Sequence, residues 1–171
     1  MFTYNKKLQY PVKIDKCNPR LASIIISQYG GPDGELAASL RYLSQRYSMP
    51  FDELKGLLTD IGTEELGHLE MVGAIVHQLT RNLKDSQIQD SAFAPYFVDH
   101  TTGVYPTTAS GTPFTAAFLQ VKGDPICDLT EDLAAEAAPH HTAIGFCHFL
   151  ASRKVVAAQG FFGLLKGEPF C

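Results

Sequence analysis

The chain has 171 residues, which is enough for one domain with its own hydrophobic core. Its 45% hydrophobic and 19% charged residues are typical of a globular protein, and its net charge of −4 argues against a nucleic-acid partner, which would require a basic face. Because no apolar run could span a bilayer and the first residues do not form a signal peptide, we expect a protein made inside a cell, without a membrane partner. The four cysteines are too scattered for a disulfide framework or a thiolate zinc site.

The first helix is predicted over residues 19–47. Residues 1–17 are expected to be extended, with a short β-like piece at 10–12. Asn18 followed by Pro19 indicates a helix start, because Asn is a good N-cap and Pro is tolerated at the first helical position. A bend is expected in the glycine-rich segment 30–34. The second half of this helix carries a stripe of apolar residues that we expect to be buried: Leu36, Leu40, Leu43 and Tyr47.

The second helix, predicted over 52–81, has two polar residues where its buried face should continue. Glu65 and His68 fill the two remaining positions of that face. A buried carboxylate and a buried imidazole each lose their water, which costs several kcal/mol without a partner, whereas a bound cation removes this cost. The spacing Glu-x-x-His directs both side chains to one side of a helix. The apolar members of this stripe are Leu54, Leu58, Ile61, Val72, Ile75 and Leu79.

The third helix repeats this pattern after a long crossover. Residues 82–124 are rich in Thr, Pro, Ser and Gly and show little periodicity, so we expect only short elements in them. Asp124 and Pro125 provide an N-cap and a first helical residue. The apolar stripe then runs through Ile126, Leu129 and Leu133, and its next position holds a carboxylate, Glu136.

The order of these residues predicts a dimetal carboxylate site. Such bundles use a Glu, then Glu-x-x-His, then a Glu, then a second Glu-x-x-His from four successive helices. This chain supplies Glu35, then Glu65 with His68, then Glu136. Taken singly, Glu35 could be a helix-dipole partner and the Glu65–His68 pair could be a satisfied core pair. Tyr42 lies two turns from Glu35, where it could hydrogen-bond a metal ligand or simply pack in the core.

The composition changes abruptly after Glu136. Of the 18 acidic residues, 17 precede residue 137 and only Glu168 follows it. Residues 137–171 have no clean helical period, and we expect them to pack less well than 1–136. We divide the chain into a domain of three helices at 1–136 and an atypical tail at 137–171. The abruptness of the change favours a frameshift near codon 136 over a poorly patterned natural terminus.

Four runs of sequence, at 7–12, 28–38, 40–47 and 57–71, strongly resemble the manganese catalases, most closely their spore-coat-associated, CotJC-type branch. Segments 111–116, 122–125 and 131–136 also fit that branch. The resemblance implies an all-α, ferritin-like four-helix bundle with two manganese ions, usually in a hexamer. It implies the ligands Glu35, Glu65, His68 and Glu136, with Glu65 as the bridge.

The resemblance further implies the disproportionation of hydrogen peroxide, contacts with other spore coat proteins, and a location first in the mother-cell cytoplasm and then in the coat. The fourth family helix, with its Glu-x-x-His and acid/base Glu, is missing or replaced, so the catalytic acid/base is unknown. His140, four residues beyond Glu136, is a weak candidate ligand, and His141 and His148 are further histidines of the tail. The rival functions are a non-catalytic coat component and a di-iron oxidase or peroxidase, since these ligand types do not separate iron from manganese.

Overall fold

The computed structural model describes residues 5–30, 34–96 and 114–137, and the regular elements of these residues are helices, with no strand among them. The helices are α1 (Pro19–Ile25), α2 (Ser27–Gly30), α3 (Glu35–Gln45), α4 (Asp52–Thr80), α5 (Asp85–Gln89) and α6 (Pro125–Ala137), with 3₁₀ turns at Arg46–Ser48, Ala94–Tyr96 and Ala116–Leu119. Within these described ranges, no helix has both the length and the apolarity to cross a membrane. The tail at 138–171, and with it the place of a fourth helix, lies outside the described residues.

The structure divides into two compact units, and α3 and α4 contribute residues to both. The first unit comprises the described residues of 1–37 and 65–118, and the second comprises those of 38–64 and 119–171. The first unit buries apolar side chains from α1, from the second half of α4 and from the segment that follows it: Ala22, Ile25, Ile26, Met71, Val72, Val76, Leu79, Ile88 and Phe93.

In the first unit, the extended N-terminal segment is hydrogen-bonded to the end of α4. The side-chain amide of Gln78 accepts from the backbone N–H of Ile14 at 2.8 Å and donates to the carbonyl of Val12 at 3.0 Å. The backbone N–H of Asn18 donates to the carbonyl of Leu79 at 2.9 Å. The main-chain groups of the segment are therefore hydrogen-bonded to α4 and not to a neighbouring strand. The β-like piece predicted at 10–12 is not a strand.

The second unit has a compact apolar core formed by α3, α4 and α6. Its fully buried members are Ala38, Tyr42, Met49, Leu54, Leu58, Ile61 and Leu129. At Gly62, α3 and α4 approach closely, because the Ser39 hydroxyl donates to the Gly62 carbonyl at 2.6 Å. A Cβ at Gly62 would lie 2.9 Å from Cγ of Leu43 and 3.2 Å from the carbonyl oxygen of Ser39. The absence of a side chain at this position therefore sets the spacing of the two helices in this unit.

The same unit buries a set of polar side chains, which we call the polar seam. Its members are Arg41, Tyr42 and Gln45 on α3 and Asp128, Asp132 and Glu136 on α6, each no more than 3% exposed. Burial raises the pKa of Asp132 to about 7, the charges of Asp128 and Glu136 add to the rise, and the nearby Gln45 amide and Arg41 guanidinium oppose it.

The structure confirms the predicted helix starts and most of the predicted helix bounds. The side chain of Asn18 caps α1 by accepting from the Leu21 N–H at 3.0 Å. The side chain of Asp124 caps α6 by accepting from the N–H groups of Ile126 and Cys127 at 2.9 and 3.0 Å. The second predicted helix, 52–81, corresponds to Asp52–Thr80. The first, predicted over 19–47, is divided into α1, α2 and α3.

The predicted apolar stripe on the first helix is wrong at two of its four positions, and its other members, Leu36 and Leu43, are partly buried. Leu40 is 38% exposed and Tyr47 is 76% exposed, whereas Ser39, Arg41 and Gln45 are buried. Periodicity assumes that a helix buries its most apolar face, but the face of α3 that the second unit buries carries the polar seam. For the same reason Ile126, expected to be buried on the third helix, is 39% exposed while its polar neighbours at positions 128 and 132 are buried.

We expect Gly62→Ala to lower the free energy of unfolding by about 1 kcal/mol, because overpacking against Leu43 and Ser39 costs ~1–3 kcal/mol and exceeds the gain in helix propensity of ~1 kcal/mol. Gly56→Ala is the matched control in the same helix, because a Cβ there would meet nothing within 4 Å. It should raise stability by ~1 kcal/mol. Urea denaturation of the two variants measures both effects, and equal stabilisation by both would contradict the close approach at Gly62.

Asp132→Asn should stabilise the metal-free protein more at pH 8 than at pH 5. A folded-state pKa of about 7 lies above the unfolded value of ~3.9, so between these values the folded state alone holds a proton. The free energy of unfolding therefore falls as pH rises through this window and levels off above it. Asn carries no such group, and the gain at pH 8 should be on the order of 2 kcal/mol. Denaturation at both pH values measures the free energy of unfolding, and Asp90→Asn, at an exposed position, is the control. A gain in stability from Asp132→Asn that did not depend on pH would refute the prediction.

Candidate metal centre

Three of the predicted ligands converge within the first unit. Glu35 is the first residue of α3, and Glu65 and His68 lie three residues apart on α4. Each offers a ligand atom, and these atoms all lie within 4.8 Å of one another. Glu35 and Glu65 are 0% exposed and His68 is 1% exposed. The α4 pattern thus places a carboxylate and an imidazole in the interior, and the start of α3 adds a second carboxylate.

The three side chains form one electrostatic group. Nδ1 of His68 lies 2.6 Å from Oε2 of Glu65, within hydrogen-bond distance, and 3.8 Å from Oε2 of Glu35. Burial raises the pKa of Glu65, the hydrogen bond to His68 opposes that rise, and the charge of Glu35 adds to it. Two buried carboxylates near each other repel, so the group needs positive charge to keep both ionised. A cation between them would supply that charge.

Close backbone approaches determine where Glu35 and the α4 pair lie. A Cβ on Gly34 would lie 2.9 Å from the carbonyl oxygen of Ser27 and 3.0 Å from that of Gln28, so α2 and the start of α3 meet backbone to backbone. Gly73 of α4 accommodates the ring of Tyr29, whose edge would lie 3.1 Å from an added Cβ. The residue before Glu35 is therefore held against α2, and α2 packs on α4 within the same unit.

The donor set fits a divalent transition metal. Carboxylate oxygens and a neutral imidazole nitrogen suit manganese, iron and related ions. Oε1 of Glu65 is buried and accepts no hydrogen bond from the described residues, which is the state expected of an oxygen reserved for another ligand. In a metal complex the His68 imidazole and the Glu65 carboxylate would bind the ion instead of each other.

Glu136 and Tyr42 belong to the second unit, where they contact each other. The hydroxyl of Tyr42 donates a short hydrogen bond to Oε1 of Glu136, and both side chains are buried. The role of Glu136 as a ligand, predicted from sequence order, stays a prediction. Tyr42 holds one oxygen of Glu136 in a fixed position, which is how a hydrogen-bond partner outside the coordination shell orients a ligand. His140, His141 and His148 lie outside the described residues.

Sequence reasoning missed most of the polar seam. Of its six members the sequence pattern identifies Tyr42 and Glu136, and it assigns no role to the other four. A signal was present, because Asp128, Asp132 and Glu136 recur every fourth residue and so share one face of α6. The stripe of Ile126, Leu129 and Leu133 concealed it, since a face with apolar residues at helical spacing was expected to be the buried one.

Most of the chain is similar in sequence to named proteins. The model of the family described as manganese containing catalase matches residues 1–147. Protein CotJC of Bacillus subtilis is 54% identical over 136 residues, which cover 80% of this chain and 71% of CotJC. A probable manganese catalase of Clostridium acetobutylicum is 34% identical over 138 residues, which cover 80% of this chain but 61% of that protein. The chain thus spans less than two thirds of that catalase, and still less of the manganese catalase of Bacillus subtilis, of which 55% is covered.

A solved structure gives the fold. The crystal structure of KatB, a manganese catalase from Anabaena PCC7120, matches with a TM-score of 0.77 and 29% identity, covering 100% of this chain and 84% of that chain. The fold is therefore the all-α, ferritin-like fold that the sequence predicts, and the resemblance of the four sequence runs is confirmed. The extent of the family match and the similarity to these relatives establish that this chain belongs to the manganese-containing catalase family.

Proposed function

We propose that this chain binds manganese through Glu35, Glu65 and His68, and that it acts as a catalase-like protein of the spore coat. The observation that carries the proposal is the buried group of two carboxylates and one imidazole with ligand atoms within 4.8 Å of one another. Such a group is costly to bury without a cation, because burial alone removes the hydration of each charged member. The names of the relatives, manganese catalases among them, favour manganese over iron.

The proposed reaction is the conversion of two molecules of hydrogen peroxide into two of water and one of oxygen. When bound, a manganese pair would supply the two-electron exchange that the reaction requires. Glu35 and Glu65 would hold the ions through negative oxygens and His68 through a neutral nitrogen, which would limit the net charge of the site. We propose Glu136 as a further ligand, with Tyr42 fixing the oxygen that it contacts. Two ions per chain belong to this proposal, and Glu65 would be among the residues that hold them.

The tail favours a weak catalase, or a second function without catalysis. Residues 137–171 contain one acidic residue, Glu168, and no Glu-x-x-His sequence. A second ion would therefore lack the nitrogen ligand of the family pattern, and no acid/base Glu accompanies it. A non-catalytic structural or assembly role in the coat is the alternative that this observation supports. The exposed apolar side chains of Leu40 and Tyr47 are consistent with a homo-oligomer, and light scattering would measure its mass. The similarity to CotJC supports a location in the mother cell and then in the spore coat.

Glu65→Gln should weaken manganese binding at least about tenfold, because the amide replaces a negative oxygen by a neutral group at the centre of the triad. Isothermal titration of manganese into chelator-treated protein gives the affinity, and elemental analysis gives the ions per chain. Glu53→Gln is the matched control on α4, since Glu53 is an exposed carboxylate in the same helix. Equal losses in both variants, or none in either, would reject Glu65 as a ligand. Titration with ferrous iron in parallel tests the di-iron alternative.

The chain as written should release oxygen from peroxide slowly, and a variant whose tail is replaced by a family-like helix with Glu-x-x-His should be faster by ~10²–10⁴, the usual contribution of a proton-transfer group. An oxygen electrode measures turnover, and elemental analysis measures manganese in both proteins. Robust turnover by the unmodified chain with two manganese ions would contradict the expectation and would point to His140, His141 or His148 as a substitute ligand. Metal binding without turnover in both proteins would favour the structural role.

A further inference from the structure

We infer that Gln45 and Asp128 are positioning residues that fix the register of α6 along α3 through the loop 120–123, and so hold Glu136 where Tyr42 binds it. The inference rests on the proposed function in one respect, namely that Glu136 is a metal ligand. The hydrogen bonds that carry it lie entirely within the second unit. Neither Gln45 nor Asp128 belongs to the predicted ligand set.

Asp128 joins α6 to the loop that leads into it. Its Oδ1 accepts from the backbone N–H of Lys122 at 2.7 Å, and its Oδ2 accepts from that of Gly123 at 3.2 Å. The Asp128 side chain is 0% exposed, and its two bonds to the exposed loop are partly buried. A carboxylate that accepts two backbone donors forms charge-assisted bonds, which are stronger than those between neutral groups. The loop therefore cannot move relative to the first turn of α6 without leaving a buried charge unsatisfied.

Gln45 joins the same loop to α3. Its Nε2 donates to the backbone carbonyl of Gln120 at 3.2 Å, and its side chain is fully buried. The loop has an uncommon shape, because Gln120 has a φ of 53° and Gly123 a φ of 78°. The left-handed region is unfavourable for a residue with a side chain, so Gln120 adopts it only where its surroundings hold it there. Gln45 bonds to Gln120 itself, and Asp128 bonds to the N–H groups of Lys122 and Gly123 in the same loop.

On α6 the Asp128 anchor lies near the start of the helix and the Tyr42–Glu136 bond near its end, whereas on α3 both contacts lie in the last turn. Asp128 and Glu136 are eight residues apart, about 12 Å along α6. Tyr42 and Gln45 are one turn apart on α3. A slip of α6 by one residue would move Glu136 by about 1.5 Å along the helix and about 100° around it, and would carry its carboxylate away from Tyr42. The loop anchors oppose that slip at the end remote from Glu136.

A polar seam needs such anchors more than an apolar one does. Apolar packing is non-directional, whereas a hydrogen bond is lost once its atoms separate by a fraction of an ångström. Buried polar groups add little net stability compared with apolar residues of the same size, and their best attested role is to select one register. Gln45 and Asp128 therefore contribute mainly to the placement of α6.

The register can be measured directly in the full chain. Spin labels are attached to Cys127, which is exposed on α6, and to a cysteine introduced by Leu40→Cys, at an exposed position of α3. Cys17, Cys147 and Cys171 are replaced by serine. Pulsed electron resonance then gives the distance between labels in the parent, in Asp128→Asn and in Gln45→Met. Asn keeps one acceptor but cannot accept from both loop N–H groups, and Met keeps the length of Gln without a donor.

In both variants the mean distance between the labels should shift, or its distribution should broaden, by at least about 1.5 Å, which is the rise of one helical residue. Both variants should also weaken manganese binding about tenfold. Leu133→Ala is the control for a merely structural effect, because Leu133 is a partly buried apolar residue of α6 that packs against the core. It should lower stability while leaving the distance and the affinity of the folded protein unchanged. Measurements are made where denaturation shows every variant to be folded.

An unchanged distance in both variants would overturn the inference, and so would a changed distance with unchanged manganese affinity, because Glu136 would then not depend on the register. A loss of affinity in Leu133→Ala equal to that in the loop variants would also overturn it. Failure of the proposed function is distinguished by the parent protein: if neither the parent nor Glu136→Gln binds manganese, the ligand role fails, and the distance measurement alone then decides whether Gln45 and Asp128 fix the register.

Discussion

The burial of ionisable side chains without water is the constraint on which the rest of this structure depends. Glu35, Glu65 and His68 are almost fully enclosed in the first unit, and Asp132 and Glu136 in the second. An isolated charge in such surroundings is unstable, so each must gain a partner, hold a proton or bind a cation. Burial raises the pKa of Asp132 to about 7, which favours the second outcome below neutral pH. The clustering of the first three residues favours the third.

Positional precision in this chain comes from places where backbone meets backbone or where a side chain holds a loop. Gly34 allows the start of α3 to contact α2, and Gly62 allows α3 and α4 to approach within the second unit. Asp128 holds the loop before α6 through two backbone N–H groups. Metal ligands must be placed to within a fraction of an ångström, and contacts of this kind tolerate less displacement than apolar packing does. The apolar core supplies stability, and these contacts supply placement.

Membership of the manganese-containing catalase family favours metal binding, whereas the composition of the tail argues against rapid turnover of peroxide. The family match covers residues 1–147, and the buried triad has the ligand types that such a site uses. The last 35 residues of the sequence, however, lack the Glu-x-x-His that would complete a dimetal site. Metal content and oxygen release are therefore independent measures of the proposed function.

The sequence by itself determined the helix starts, the long second helix and the burial of Glu65 and His68. These follow from local rules: Asn18 and Asp124 cap helices through their own neighbours, and a three-and-four spacing places residues on one face of α4. The presence of Glu35 beside that pair was predicted from order along the chain. Only the tertiary structure decided that Leu40 and Tyr47 would be exposed while Arg41, Gln45 and Asp132 would be buried. Periodicity identifies a face but not its partner, and a polar face is buried only when the opposing helix brings complementary groups, which no local pattern in α3 encodes.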